Sequence, residues 1–359
     1  MTGYTVVIPT IGRPSLRTLL GALAAARGPA PTEIIVVDDR PERRRPERRL
    51  ASVSTFSGPE NVDTDASRQG EPPVRVLRSG GRGPAAARNV GWRAARTEWV
   101  AFLDDDVLPG EDWPAALHAD LAGLAPDIGA SQGRIEVPPP QGGRRPTDGE
   151  RGTVALAGCR WITADLAYRR AALERVGGFD ERFPRAYRED TDLAMRVAGA
   201  GYRLVVGDRR TTHPLRATHW LASVRTQAGN ADDVLMRRRH GANWRRLAGE
   251  RPGRLGRHAA TTVAAAVGLL GAAAGRPALA RLAGLTWAVL TAEFALRRIA
   301  PGPRTPAEVA TMIATSVAIP VAACAHRVAG ELRWAHVPRA APHLPSPPHP
   351  AAHAPREVP

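Results

Sequence analysis

The run WVAFL, Trp99 to Leu103, leads directly into three aspartates, Asp104, Asp105 and Asp106. Five apolar residues without a polar break read as a strand buried on both faces, which needs cover on both sides of a sheet. Three negative charges at the end of such a strand must be solvated, paired with bases or bound to a cation. The same order, a strand and then polar or glycine residues, recurs along the first half of the chain. TVVIP (5–9) leads into PTIGR, EIIVVDD (33–39) into an arginine, and VRVLR (74–78) into SGGRGP. Between these runs, two segments predict helices. In SLRTLLGALAAA (15–26) Leu16, Leu19, Leu20 and Leu23 share one face behind Pro14; PAAARNVGWRAAR (84–96) has proline in its first turn. Strand, helix, strand in this rhythm predicts an α/β fold with a largely parallel sheet. Ligands of such sheets bind beyond the carboxyl ends of the strands, where the polar and glycine residues converge.

If the backbone stays extended past Leu103, Asp104 and Asp106 point to one side and Asp105 to the other. Two carboxylates on one side suit a hard cation, Mg²⁺ or Mn²⁺, which takes its remaining ligands from water and phosphates. The plainer alternative is that Asp105 or Asp106 caps the next turn.

The chain has 359 residues, enough for one large domain and an appendage, and a formal charge of +15. Such a charge invites a nucleic-acid partner, but all the excess is arginine, with no lysine, and it is spread along the chain. A nucleic-acid role is therefore not expected. Cys159 and Cys324 stand far apart with no metal-ligand spacing, which predicts a reducing compartment. The start, MTGYTVVIPT, has no basic region before its short apolar run, so no signal peptide is expected.

Residues 1–235 are expected to form the main domain, interrupted at 40–73 by a polar, proline-punctuated insertion expected to be mobile. A basic linker, 236–257, would follow. Residues 258–335 hold three alanine-rich apolar helical stretches of about membrane-spanning length, with arginines before the first and after the second. They predict membrane association; a soluble helical bundle is the alternative, and spanning and lying in the interface stay open. The proline-rich 336–359 is expected to be disordered, its histidines compositional.

Four segments together, VVIPTIGRPSL, EIIVVDDRP, GPAAARNVGWRAARTEWVAFLDDDVLP and LAYRRAALERVGGFDERFPRAYREDTDLAMRVAGAGYRL, resemble family 2 glycosyltransferases of the GT-A fold, over about residues 4–215. The aspartate cluster and GGFDERF leading to EDTDLAMR are the most specific parts. The resemblance implies a mixed nucleotide-sugar-binding sheet flanked by helices and followed by the C-terminal helical region. It implies a nucleotide-diphosphate sugar donor, a divalent metal, and transfer with inversion to a glycan, lipid-linked or small-molecule acceptor. Position by position, Pro9, Thr10 and Arg13 would border the nucleotide, Asp38 and Asp39 its base or ribose, and Arg88 the diphosphate. Asp104 would meet ribose or metal, Asp106 the metal, and Asp105 lies between them in the same cofactor-binding cluster. A histidine that contacts metal or diphosphate is common near His213, with His219 a lesser candidate.

Inverting transfer needs a general base near the acceptor hydroxyl. Asp190 sits where a helix begins, with Leu193 and Val197 facing the core and Gly201 beyond its end. By its position it is either that base or an ordinary cap; the resemblance implies the base, with Glu189 as substitute. GCRWITADLAYRR (158–170) occupies the acceptor-facing segment, where Asp165 stands at a position the family often fills with asparagine; Trp161 either stacks on a sugar or belongs to the core. The QxxRW signature of processive synthases is absent, which implies single-sugar transfer. A sugar-1-phosphate nucleotidyltransferase would carry a glycine-rich loop ending in arginine and a lysine after the first strand, unlike PTIGRPSL. A non-catalytic, membrane-tethered nucleotide-sugar-binding protein would not need the metal and base carboxylates. The expected protein is thus a glycosyltransferase of cell-envelope glycan or glycolipid synthesis, at the cytoplasmic face of the membrane.

Overall fold

In the computed structural model, which describes residues 3–41, 72–216 and 218–339, the first strand, β1 (Tyr4–Thr10), is buried along almost its whole length. Tyr4, Val6 and Ile8 join an apolar cluster on one face of the sheet, and Val7 joins another on the opposite face, the period-two geometry of a strand. β2 (Glu33–Asp38) and β4 (Trp99–Leu103) divide the same way: Ile34, Val36, Ala101 and Leu103 lie on the first face, Ile35, Val37, Val100 and Phe102 on the second. Helix α1 (Ser15–Ala25) covers the first face with Leu19 and Leu23. Helix α2 (Pro84–Ala94) covers the second with Ala85, Ala87 and Trp92. Gly91 permits that approach, since a Cβ there would come within 2.3 Å of Val7 Cγ1. β1, β2, β4 and β3 (Val74–Arg78) run parallel.

Past β4 the parallel expectation fails. The chain continues through β5 (Leu108–Pro109), α3 (Trp113–Leu121), β6 (Ile128–Glu136), α4 (Asp148–Leu156) and β7 (Asp165–Arg169). It then makes α5 (Arg170–Val176), α6 (Glu189–Gly199) and β8 (Arg203–Thr212). The strand order is β3-β2-β1-β4-β7-β6-β8-β5. β7 enters antiparallel to both neighbours, β6 and β8 pair parallel, and β5 closes the edge antiparallel to β8. The result is the mixed sheet flanked by helices of the GT-A expectation, not a largely parallel one. β7 is buried on both faces although Asp165 and Arg169 frame its three apolar residues.

Residues 42–71, most of the expected insertion, and 340–359, most of the expected tail, lie outside the described residues. The stretch expected as a basic linker is folded. After α7 (Ala222–Arg225), α8 (Gly229–His240) buries Val234, Leu235 and Met236 against Phe183. The same cluster takes Trp244 of α9 (Trp244–Leu247), and Arg245 pairs with Asp233 and Glu250. Three long helices complete the chain: α10 (Leu255–Ala273), α11 (Pro277–Ile299) and α12 (Pro306–Arg333). Two of them, α11 and α12, are long and apolar enough to cross a membrane.

Candidate active site

A cavity of about 450 Å³ opens beyond the carboxyl ends of β1 and β4. Pro9, Thr10, Arg13, Asp39, Arg88, all three aspartates, Glu189, Asp190 and His213 line it. The chain does not stay extended after Leu103. Asp105 and Asp106 form a turn, with Val107 N donating to Asp104 O at 3.4 Å. All three carboxylates therefore reach one cavity, each with different partners.

Asp105 is the pin. Thr10 Oγ1 donates to its Oδ2 at 2.6 Å and Arg13 Nη1 to its Oδ1 at 2.9 Å, leaving the residue 3% exposed. It ties the end of β1 to the end of β4. Asp106 Oδ2 accepts from Arg13 at 3.2 Å and pairs with Arg216 at 2.5 Å. Its Oδ1 faces His213 Nε2 at 3.7 Å. His213 Nδ1 lies 3.2 Å from the Pro214 carbonyl. When Nδ1 carries the proton it donates to that carbonyl, and Nε2 then presents its lone pair toward Asp106; a backbone carbonyl on the far nitrogen is the usual support of a metal-ligating imidazole.

Arg88 organises the other wall. It is 2% exposed, and its guanidinium donates to Asp104 Oδ1 at 2.7 Å and to Glu189 Oε1 at 2.8 Å. Two carboxylates, Asp104 and Glu189, thus share one buried cation, and Asp190 adds a third negative charge nearby. One positive charge does not balance three negative ones. Burial and the neighbouring Asp190 push the Glu189 carboxyl well above its ordinary range despite Arg88, and burial raises Asp190 likewise. Glu189 is closed off from solvent, while Asp190 stays partly exposed in the cavity. Asp190 is not the N-cap residue; Arg188, two positions earlier, holds that place in a left-handed conformation, φ 81°. Asp190 Oδ1 instead accepts from Thr191 N at 2.7 Å.

The other predicted residues divide. Asp39 lines the cavity but is engaged by Ser79 Oγ at 2.7 Å and Gly83 N at 2.9 Å, fastening the loop between β3 and α2. Asp38 is not among the lining residues; Arg40 forks onto it and holds its carboxyl below the usual range. Asp165 is fully buried and accepts from Arg209 Nε at 2.7 Å, Trp113 Nε1 at 2.7 Å and Thr211 Oγ1 at 2.6 Å. It braces the sheet and lines no part of the cavity. Trp161 packs beside the second-face cluster with φ 63°, its backbone N–H donating to Gln132 Oε1. His219 borders a second cavity with Trp220.

Two residues of the site escape sequence reasoning. Arg216, three positions after His213, supplies the short contact to Asp106. Arg188 clamps the start of α6 through Asp233 at 2.9 Å and Glu250, and lies over the Trp244 ring at 4.7 Å. Their position beside His213 and Glu189 was the available signal; their partners are too distant in sequence to read.

Residues 5–128 match the family model described as glycosyl transferase family 2. This segment is a family 2 glycosyltransferase domain. It carries β1 through β4 and the three aspartates, whereas Glu189, Asp190 and His213 lie beyond it. The pre-mycofactocin glycosyltransferases of two Mycobacterium tuberculosis strains are each 33% identical over 173 residues, covering 44% of this chain. The match spans 36% of those relatives' length. Among solved structures, S. aureus TarS 1-349 in complex with UDP-GlcNAc aligns at 15% identity over 91% of this chain and 92% of its own, TM-score 0.43. Glucosyl-3-phosphoglycerate synthase from M. tuberculosis aligns at 16% identity over 70% of this chain and 82% of its own, TM-score 0.39. Likeness at this distance carries nothing about substrate.

Proposed function

We propose that this family 2 domain transfers a sugar, with inversion, from a nucleotide-diphosphate sugar to an acceptor hydroxyl. The observation that carries the reading is one cavity lined by both the Asp106–His213 pair and the partly exposed, charge-crowded Asp190. The acceptor oxygen attacks the anomeric carbon, the bond from that carbon to the diphosphate oxygen breaks, and the acceptor proton passes to Asp190. Its raised affinity for a proton suits a base that must accept one near neutrality. Glu189 Oε1 accepts from Arg88 and fixes its guanidinium, and Arg13 and Arg216 offer positive charge to the departing diphosphate.

The residues fit a divalent cation of the Mg²⁺ or Mn²⁺ kind. Among the described residues no three His, Cys, Asp or Glu side chains converge on one point. Asp106 Oδ1 and His213 Nε2 would be the protein ligands, the two-ligand arrangement these ions accept when phosphates supply the rest. When bound, the ion would supply charge stabilisation for the leaving diphosphate. The acceptor is a glycan, a lipid-linked sugar or a small molecule, in cell-envelope synthesis at the cytoplasmic membrane face. The test is a thermal-shift screen of UDP, GDP and dTDP with and without Mn²⁺. One nucleotide should raise the melting temperature only with metal present; no shift with any of them would overturn the reading.

A further inference from the structure

Both ends of α12 are docked on the same domain. Near its start Glu308 Oε1 accepts from Asp148 N at 2.7 Å. Thr315 and Ser316 accept from the buried Arg298 at 2.8 and 2.9 Å, and Arg298 also donates to Asp148 Oδ2 at 2.7 Å. At the far end Gly330 lies so close to α8 that a Cβ would come within 2.6 Å of Ala231 Cα, and Trp334 sits in the cluster with Phe183 and Val234. A helix of 28 residues is about 42 Å long at 1.5 Å per residue, more than the roughly 30 Å of a hydrocarbon core. Crossing a bilayer would put one folded domain on both sides of it. α12 therefore does not cross.

α11 cannot cross alone either. Its last turn is latched to α4 through Arg298 and Asp148, and α10 starts beside that turn, with Arg254 and Arg257 paired to Glu293. Only the α10–α11 hairpin as a whole remains, and α10 is not apolar enough to span. A crossing hairpin would also carry Arg276 and Arg281 through the core.

The outward faces nevertheless remain apolar. Among the described residues, 13 of the 21 exposed large hydrophobics lie on these three helices. Leu282, Leu285 and Val289 on α11 are 67, 64 and 58% exposed, and Val317, Val321 and Val328 repeat the stripe on α12 at 43, 53 and 59%. Exposed large apolar residues gathered on one set of helices in this way mark a binding surface. The charge is complementary to one class of partner. Residues 255–333 hold eight arginines against three glutamates, and Glu293 and Glu331 are already paired. Arg276, Arg281 and Arg333 are exposed beside the apolar stripes.

Resting on the membrane-surface reading above, we propose that α10–α12 form a monotopic platform that lies in the headgroup region of an anionic lipid bilayer, with no helix crossing it. Apolar side chains enter the acyl boundary and arginines meet phosphates. α4 joins the platform to the active cavity: Asp148 at its start holds Arg298, and Leu156 at its end lines the cavity.

The test floats the full-length protein with phosphatidylcholine vesicles, with and without phosphatidylglycerol. Binding should require the anionic lipid and weaken with salt. Leu282→Ser with Leu285→Ser should lower the bound fraction by about tenfold or more. Nucleotide binding by the same variant reports the family 2 domain separately, so loss of vesicle binding alone is not a folding failure. In a chain whose own cysteines, Cys159 and Cys324, are replaced by serine, Ala274→Cys at the turn of the hairpin should react with an impermeant maleimide added outside sealed vesicles. Reaction only with reagent trapped inside would mean a crossing hairpin and overturn the proposal. Absence of vesicle binding, with self-association that the Leu282→Ser variant abolishes, would overturn it in favour of a second copy.

Discussion

Single atoms separate the three aspartates. Asp105 Oδ1 and Oδ2 are both occupied, whereas Asp106 keeps Oδ1 toward His213. Asp106→Asn should therefore weaken metal-dependent nucleotide binding while leaving the fold intact, a result calorimetry with and without Mn²⁺ would show; metal-independent binding of equal strength in both proteins would remove Asp106 from the metal. Asp190→Asn tests the base. Donor affinity should stay near normal and turnover should fall about 10² to 10⁴-fold, the usual worth of a positioned proton acceptor. Collapse of donor binding would instead move Asp190 into the nucleotide site. Asp165→Ala is a structural test. It strips Arg209, wholly buried, of one of two carboxylate partners, and removing one member of a buried pair costs about 3–5 kcal/mol. Urea unfolding should show a loss of that order with little change in nucleotide affinity of the folded protein.

Helix α6 is held at its first turn by two forces that oppose one another. Arg88 draws Glu189 inward while Glu189 and Asp190 repel. Both carboxyls have native pKa values above their unfolded ones. The folded protein thus binds more protons than the unfolded chain, from the ordinary carboxylate range upward toward neutrality. Their stabilising contribution is complete below about pH 4 and falls as pH rises through the raised values. Thermal melts should decline across that window, and Glu189→Gln should flatten the decline. Activity should move the other way, its acid limb displaced above an ordinary carboxylate, because the base must be free of its proton. A flat melt profile together with an acid limb at the ordinary carboxylate value would contradict this account of the cluster.

At the scale of the whole molecule, α12 makes the C-terminal region part of the folded unit. Phe183, Val234, Leu235, Met236, Trp244, Trp334 and Val337 form a third apolar cluster. A chain ending at Gly253 keeps every residue that lines the active cavity but loses Trp334 and Val337 from this cluster. Core truncations of that size cost several kcal/mol, so the shortened chain should melt well below the full one and aggregate on size-exclusion chromatography. Equal stability of the two would make α10–α12 an independent appendage.

Residue pattern alone located β1 to β4, α1, α2 and the polar strand ends around the cavity. Local rules set these elements: period two for strands, period 3.6 for helices, and proline at helix starts. Sequence also placed a triple negative charge beside a nucleotide-type sheet edge. It did not reveal β7, whose three apolar residues, Leu166 to Tyr168, are framed by Asp165 and Arg169, nor that this strand runs antiparallel to its neighbours. It did not reveal what pins Asp105 or what holds Glu189, because Thr10 and Asp105 are 95 positions apart and Arg88 and Glu189 are 101 apart. It placed Asp165 in the acceptor segment, whereas the fold buried it against Arg209. It showed that α12 is apolar but not that one face rests on α8, since amphipathic spacing describes a helix and not its neighbour. Local periodicity is written in adjacent residues; pairings across the sheet and between helices come into being only when the chain closes on itself.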